Sequence, residues 1–216
     1  MNTPMIIDAL AAVQSAILAN EAQIESLDRA IGDGDHFINV RRGCEVAVAM
    51  SPELRTLPPA LALHKVGMKL LGTIGGASGP LIASFFMAMG KQLEGVEEPN
   101  RSEFALAFAQ GVEAIKTRGK ADVGEKTMLD VLIPVSRLLL RLTEEHAALA
   151  QVCAQLTHEA EQNMLATRDM IASKGRASFL GERALGHIDP GCKTCAVAIA
   201  AVCQTVLQQE TPSEAA

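Results

Sequence analysis

Four segments of this 216-residue chain are dense in glycine and charged residues, and long apolar helical patterns separate them. They cover residues 27–39, 72–80, 118–128 and 174–191. In a simple up-and-down helical assembly consecutive helices are neighbours that point in opposite directions, so all four segments fall in odd-numbered connections. Odd-numbered connections lie at the same end of such an assembly. The sequence therefore predicts a functional site at one end of a helical molecule.

The residues between these segments favour helices throughout. Trp and Tyr are absent and only six Phe are present, and the dominant Ala, Leu, Ile, Val and Met are typical of helices. No segment alternates with the period of two that a strand requires. We predict an all-α fold, an eight-helix antiparallel up-and-down bundle or barrel in one domain over residues 1–216. Its helices are expected over about 4–27, 38–50, 60–71, 80–91, 101–119, 128–144, 147–172 and 190–209.

Several helix ends carry their own signals. Asn100 with Glu103 three residues later predicts a capping box, and Thr127 with Asp130 repeats the pattern for the next helix. Gly119 stands where a C-terminal glycine would end the helix between them. The helix starts predicted at these positions place the third glycine-rich segment in a connection.

Charge and cysteine content exclude several classes of protein. A formal charge of -6 argues against binding to nucleic acid or to an anionic membrane. The longest uncharged run, residues 70–90, is interrupted by glycines and Pro80, so no membrane insertion is expected. No secretory signal is recognised, and an odd count of five cysteines suggests reduced thiols in the cytoplasm. We interpret the C-x-x-C of Cys192 and Cys195 as packing at a helix start rather than as a redox or zinc site.

Three aspartates define the first segment. Asp28, Asp33 and Asp35 lie within eight residues, and Gly32 and Gly34 permit the tight turns that bring carboxylates together. Like charges at close range repel one another unless a cation is present, and carboxylates shared with substrate phosphates suit Mg²⁺. A solvated acidic turn is the alternative. An EF-hand loop does not fit the spacing.

The other three segments offer partners for phosphate. Residues 75–80 lead straight into a helix, whose free N–H groups and dipole attract a phosphate, although a close helix crossing would also explain the glycines. Lys126 and Arg176 could offset phosphate charge, or could be ordinary solvent-facing residues. Asp189 is expected to cap the last helix. No nucleophile or proton-transfer pair is evident, which is typical of phosphoryl transfer, where positioning and charge stabilisation dominate.

The four segments together resemble a known family. L-D-R-x-I-G-D-G-D-H, G-G-A-S-G-P, R-G-K-A-x-x-G-x-K-T-M and K-G-R-A-S-F-L-G-E-R-x-x-G-H-x-D-P-G match, in order, the nucleotide-binding L subunit of dihydroxyacetone kinase. The resemblance implies an eight-helix barrel with nucleotide bound at one end. Members of that family transfer a phosphoryl group to dihydroxyacetone held by a separate K subunit.

The resemblance also implies roles for individual residues. Asp28, Asp33 and Asp35 would hold two Mg²⁺ ions that bridge the phosphates of ADP or ATP. Arg176 is expected to act in catalysis as well as in nucleotide binding. The positions that line the nucleotide pocket in the family correspond here to His36, Asn39, Ala77, Ser78, Gly119, Met128, Arg176, Asp189 and Gly191.

The implied partners follow from the same resemblance. The chain leaves no length for a K domain, so it is expected to be inactive as a kinase alone. In free-standing members ADP stays bound and a phosphotransferase-system M subunit rephosphorylates it, and this is the favoured interpretation; a homodimer is also compatible with the sequence. The alternatives are direct use of ATP in a triose or tetrulose kinase, and a non-catalytic nucleotide sensor. Phe37 replaces the glycine that usually follows D-H, and Glu125 stands where aspartate is common, which predicts a change in pocket shape.

Overall fold

The computed structural model describes residues 2–76 and 78–210, and every regular element in those ranges is helical. The α-helices are α1 (Thr3–Ala19), α2 (Glu21–Ile31), α3 (His36–Ala49), α4 (Ser51–Leu54), α5 (Pro59–Leu71), α6 (Ser78–Gln92), α7 (Arg101–Gly119), α8 (Leu129–Glu144), α9 (Leu149–Ala166) and α10 (Pro190–Glu210). Two 3-10 segments, Thr167–Asp169 and Arg176–Ala184, lie between α9 and α10. The predicted all-α class is confirmed, whereas the predicted count of eight helices differs from the ten described.

The predicted first helix is in fact two. α1 and α2 are bent by 67° where they meet, and Asn20 stands at the break. The side-chain amide of Asn20 donates to the Ala16 carbonyl at 2.9 Å, and its backbone N–H bonds the carbonyls of Ala16 and Ile17. Asparagine competes for backbone partners in this way and so ends helices. Ile24 stays buried beyond the bend, so the apolar period continues across it.

Eight of the described helices pack as successive neighbours. α1 contacts α3, α3 contacts α5, and contacts then follow chain order through α6, α7, α8, α9 and α10, which returns to α1. The short α4 packs beside α1 and α3, and α2 lies against α3, α10 and the second 3-10 segment. The eight helical patterns of the sequence correspond to these eight neighbours, with α2 and α4 as additions.

The helix α10 packs on several sides. Pro190–Gln209 is the one described single helix long and apolar enough to cross a membrane, and α1 with α2 would pass that test as a bent pair. α10 contacts α1, α2, α8 and α9. Its Cys192, Ala196 and Cys203 are buried in one core cluster with side chains of α8 and α9. These contacts are those of a core helix in a helical assembly.

Candidate functional site

The acidic turn between α2 and α3 is shaped by Asp28 and Gly32. Asp28 is only 3% exposed, and its Oδ2 accepts a hydrogen bond from the backbone N–H of His36 at 3.0 Å. A Cβ at Gly32 would lie 1.8 Å from Asp28 Oδ1, so no side chain fits there. Gly34 takes a φ of 82°, a conformation that glycine adopts without strain. The turn therefore folds back over the Asp28 carboxylate.

The two exposed aspartates of the turn differ in their partners. Asp33 Oδ2 forms an ion pair with Arg176 Nε at 2.8 Å. Desolvation raises the pKa of Asp35, and a hydrogen bond to Asp33 and the charges of Asp33 and Asp28 add to the rise. A hydrogen bond with Asn39 opposes it. The turn thus concentrates negative charge, and the Arg176 guanidinium offsets part of it by pairing with Asp33.

The glycine-rich segment between α5 and α6 lies against this turn. Asn39 is 6% exposed, and a Cβ at Gly75 would come within 3.3 Å of its Oδ1. A Cβ at Gly76 would lie 4.0 Å from Asp35 Oδ2. A side chain at Gly79 would meet the Ile74 carbonyl oxygen at 2.2 Å, so the segment folds tightly onto the first turn of α6.

One predicted residue of this segment stands at the start of α6. Ser78 is its first residue and is half-buried. Ala77 lies outside the described residues. At the far end of the next helix, a Cβ at Gly119 would lie 3.4 Å from a methyl of Leu81 in α6, which puts the end of α7 beside the start of α6.

The start of α10 completes the same region. The ring Nε2 of His36 lies 2.8 Å from Thr194 Oγ1, and the Thr194 hydroxyl donates to the Pro190 carbonyl at 2.9 Å. Because that hydroxyl has a single hydrogen, His36 Nε2 must be the donor in its own bond. Burial lowers the pKa of His36, while Asp28, Asp35 and Asp33 oppose the shift.

Asp189 caps α10, as predicted. Its Oδ2 accepts from the Cys192 N–H at 2.7 Å, and its own N–H donates to Thr167 Oγ1 at 3.1 Å. Burial raises its pKa to about 6. A Cβ at Gly191 would lie 3.0 Å from Asp189 Oδ2 and 3.5 Å from Met128 Cβ. Met128, Asp189 and Gly191 therefore form one group.

Lys126 is buried, so the alternative that it faces solvent is wrong. It is 1% exposed, and its ammonium donates to the carbonyls of Met170 and Ala184 at 3.0 and 2.7 Å. Two of its three ammonium hydrogens are therefore bonded to backbone carbonyls. Desolvation lowers its pKa, and the charge of Asp189 opposes the change.

The C-x-x-C cysteines are packed, as the sequence suggested. The Cys192 thiol donates to the Thr127 carbonyl at 2.8 Å. None of the five cysteines, all of which lie within the described residues, forms a disulfide bond. Burial raises the pKa of Cys195 to about 12 and that of Cys192 well above its ordinary value. Thiols that stay protonated are poor metal ligands and poor nucleophiles.

Sequence reasoning missed Thr194 and Thr167, which hold His36 and Asp189. Thr194 lies 158 residues from His36, so no local pattern relates these two residues. Thr167 lies 22 residues from Asp189, and no local pattern relates them. Phe37 is buried at 3% exposure in a cluster with Ile17 and Ile24, so this replacement for glycine fills the core under the turn.

The acidic turn fits a divalent cation by chemistry. Its donors are hard carboxylate oxygens whose mutual repulsion a cation would relieve. Over residues 2–76 and 78–210, however, no three His, Cys, Asp or Glu side chains stand together as a ready ligand set. Asp33 is paired with Arg176 and Asp28 with the His36 N–H. The ion pair engages Asp33 Oδ2, and the second oxygen of the carboxylate can still accept a cation.

Comparison with known proteins gives a consistent result. The DAK2 domain family matches residues 30–204. The chain is 37% identical over 81% of its length to the ADP-binding subunit DhaL of PEP-dependent dihydroxyacetone kinase from Escherichia coli (strain K12), and covers 84% of that protein. It is 39% identical over 88% of its length to the ADP-binding subunit DhaL of PTS-dependent dihydroxyacetone kinase from Lactococcus lactis, and covers 91% of it.

A solved structure shares the fold. The dihydroxyacetone kinase from C. freundii, determined in complex with AMP-PNP and Mg²⁺, superposes with a TM-score of 0.73 at 24% identity. The alignment covers 93% of this chain and 34% of that one. The helical arrangement described above therefore recurs within a larger kinase chain.

Proposed function

Because the chain belongs to the DAK2 domain family, we propose that it is the ADP-binding subunit of a phosphoenolpyruvate-dependent dihydroxyacetone kinase. The observation that carries the proposal is its 37–39% identity to two such subunits over more than four fifths of its length. In this role it passes a phosphoryl group from its nucleotide to dihydroxyacetone, or a similar small ketose, on a separate K subunit. An M subunit restores the phosphoryl group on the bound ADP. Five cysteines that form no disulfide within the described residues favour the cytoplasm as its location.

Different residues of the site would bind the metal ion and the nucleotide phosphates. Asp28, Asp33 and Asp35 would hold Mg²⁺, which offsets charge on the nucleotide phosphates when bound. The glycine-rich segment before α6 allows backbone N–H groups to approach a phosphate closely. Arg176 pairs with Asp33 in the described state, and a nucleotide phosphate would compete for its guanidinium. If a phosphate replaced Asp33 as its partner, the Arg176 guanidinium would lie beside the phosphoryl group that is transferred.

The remaining predicted residues would line the nucleotide pocket. His36 and Asn39 stand at the start of α3, Met128 precedes α8, and Asp189 with Gly191 opens α10. Ser78 and Gly119 lie at the adjoining ends of α6 and α7. We assign these positions, with Ala77, to the nucleotide.

Reconstituted turnover tests the proposal. The purified chain is denatured and its nucleotide identified by chromatography, and ADP is expected. The chain is then combined with a K subunit and dihydroxyacetone, with or without M subunit and its phosphoryl donors. Repeated turnover is expected only with the M component present. Turnover sustained by ATP and the K subunit alone would favour direct ATP use, and a chain that carries no nucleotide and binds none with Mg²⁺ would contradict the proposal.

A further inference from the structure

The buried ammonium of Lys126 joins two distant parts of the site. Lys126 has a left-handed φ of 59° and sends its side chain inward, where Nζ reaches the carbonyls of Met170 and Ala184. These partners lie 44 and 58 residues further along the chain. Burying a charged group is costly unless its hydrogens are bonded. These two carbonyls satisfy two of the three ammonium hydrogens and fix the direction of the side chain.

The preceding residue adds two bonds to the same connection. The Ser173 N–H donates to the Glu125 carbonyl at 3.3 Å, and the Ser173 hydroxyl donates to Glu125 Oε1 at 3.1 Å. Glu125 also accepts from the Asp122 N–H at 2.6 Å, which fixes its carboxylate within its own loop. Glu125 and Lys126 thus form a tether to residues 170, 173 and 184.

Arg176 lies inside the span that this tether holds. Residues 170 and 173 precede it and residue 184 follows it, while Gly175 just before it has a φ of 68°. The Arg176 side chain is 63% exposed. On the apolar side, Ala172, Ala177 and Ala184 pack against Ile31, but alanines bury little surface each. The bonds from Glu125 and Lys126 are the polar attachment of this span to the loop before α8.

We propose that Lys126 is a positioning residue: it holds the connection between α9 and α10 so that Arg176 faces Asp33, and thereby sets how long a nucleotide stays bound. The second part rests on the proposed function, whereas the first concerns the chain alone.

Hydrogen exchange tests the tether without any nucleotide. In Lys126→Met the amides of Ser173 and Gly186 should exchange roughly tenfold faster, because bonds from a charged donor are lost beside them. Gly186 donates to the Arg168 carbonyl at 2.8 Å and so reports on the base of the connection. Lys120→Met is the matched control, since Lys120 is exposed in the same loop with a φ of 49°. Unchanged exchange in Lys126→Met, or equal acceleration in both variants, would overturn the proposal.

A double-mutant cycle tests the route through Arg176. Dissociation of a fluorescent ADP analogue with Mg²⁺ should be about tenfold faster in Lys126→Met and faster again in Arg176→Gln. The double variant should release it no faster than Arg176→Gln alone. Multiplying effects would show that Lys126 acts independently of Arg176 and would overturn the proposal. Lys126→Gln, which keeps an amide donor, takes its place in both experiments if the Met variant does not fold.

The two experiments separate the possible failures. If the wild-type chain does not bind the analogue, the proposed function fails, and hydrogen exchange still decides whether Lys126 holds the connection. If it binds the analogue and Lys126→Met releases it at the wild-type rate, the proposed function stands and the positioning role is wrong.

Discussion

Gly32 determines where the Asp28 carboxylate lies, because any side chain at this position would overlap it. We expect Gly32→Ala to weaken ADP binding in the presence of Mg²⁺ by at least about tenfold, roughly 1.4 kcal/mol, because Asp28 must move away. Calorimetric titration with ADP measures the effect. Gly95→Ala serves as the control: Gly95 has a φ of 80° and no atom within 4 Å of an added Cβ. It should lose about 1 kcal/mol of stability through strain and keep its ADP affinity. Equal losses of affinity would contradict a specific role for the turn.

Substitution of Asp33 should affect phosphoryl transfer but not stability. Its ion pair with Arg176 is well exposed, and such pairs contribute only about 0–1 kcal/mol. Asp33→Asn should therefore fold normally, while reconstituted phosphoryl transfer falls at least about a hundredfold because charge stabilisation is lost. Asp122→Asn removes a comparable exposed pair with Lys116 and should leave turnover unchanged. Wild-type turnover in Asp33→Asn would reject its assignment as a metal ligand.

Asp189 predicts a pH dependence of stability. Its pKa in the folded chain is about 6, raised from 3.8 by burial, so between those values the folded state binds more protons than the unfolded state. The free energy of unfolding therefore falls as pH rises from about 4 to 6 and loses no more from this group above that range. Asp189→Asn keeps a good helix cap and lacks this loss.

The free energy of unfolding of Asp189→Asn, relative to that of the wild type, should accordingly rise from pH 4 to 7 by up to about 3 kcal/mol, since one pKa unit corresponds to about 1.4 kcal/mol. Urea unfolding at each pH measures it. Asp122→Asn should change in the opposite sense, because the bond to Lys116 lowers the pKa of Asp122. A difference between Asp189→Asn and wild type that does not vary with pH would show that Asp189 titrates normally.

At the scale of elements, α5 and α6 approach so closely that their backbones touch at glycine. A Cβ at Gly90 would lie 2.6 Å from the Ala60 carbonyl oxygen and 2.9 Å from the His64 N. Gly90→Ala should destabilise the protein by about 1–3 kcal/mol, because backbone cannot yield as a side chain can. Gly72→Ala meets only the Lys69 carbonyl at 3.9 Å and should be tolerated. Thermal unfolding compares the two, and equal stabilities would contradict the close crossing.

Elements were predictable where the signal is local. The Asn100–Glu103 capping box is present with both bonds formed, because all its atoms lie within one turn. Gly119 ends α7, as expected, and the left-handed conformation falls on the next residue, Lys120. The break at Asn20 was hidden, since Ile24 keeps the apolar period that a single helix would show.

The site was predictable only as a set of segments. Glycine and charge marked the acidic turn, and the alternation of helix directions placed four connections together. The bonds that fix their geometry join residues far apart in the chain, such as Lys126 to Ala184 and His36 to Thr194. No periodic or spacing pattern records such pairs, so the role of Lys126 required the folded structure.

At the scale of the whole molecule, the order of neighbouring helices explains why separated segments share one site. Contacts between residues link all four connections. Asp33 pairs with Arg176, and His36 bonds with Thr194 near the start of α10. Gly75 lies close to Asn39, and Gly191 lies close to Met128. The additional helices α2 and α4 leave this arrangement intact, since the eight remaining helices still follow one another as neighbours. The remaining connections, around residues 50–58, 93–100 and 145–148, bear no comparable set.

Hydrogen exchange with and without ADP and Mg²⁺ tests this account most directly. Bound nucleotide should slow exchange in all four segments, 27–39, 72–80, 118–128 and 174–191, by stabilising the state in which they meet. Residues 50–58, 93–100 and 145–148 supply the internal control and should exchange as before. Protection confined to one segment, or spread equally over both sets of connections, would contradict a single nucleotide site built from four connections.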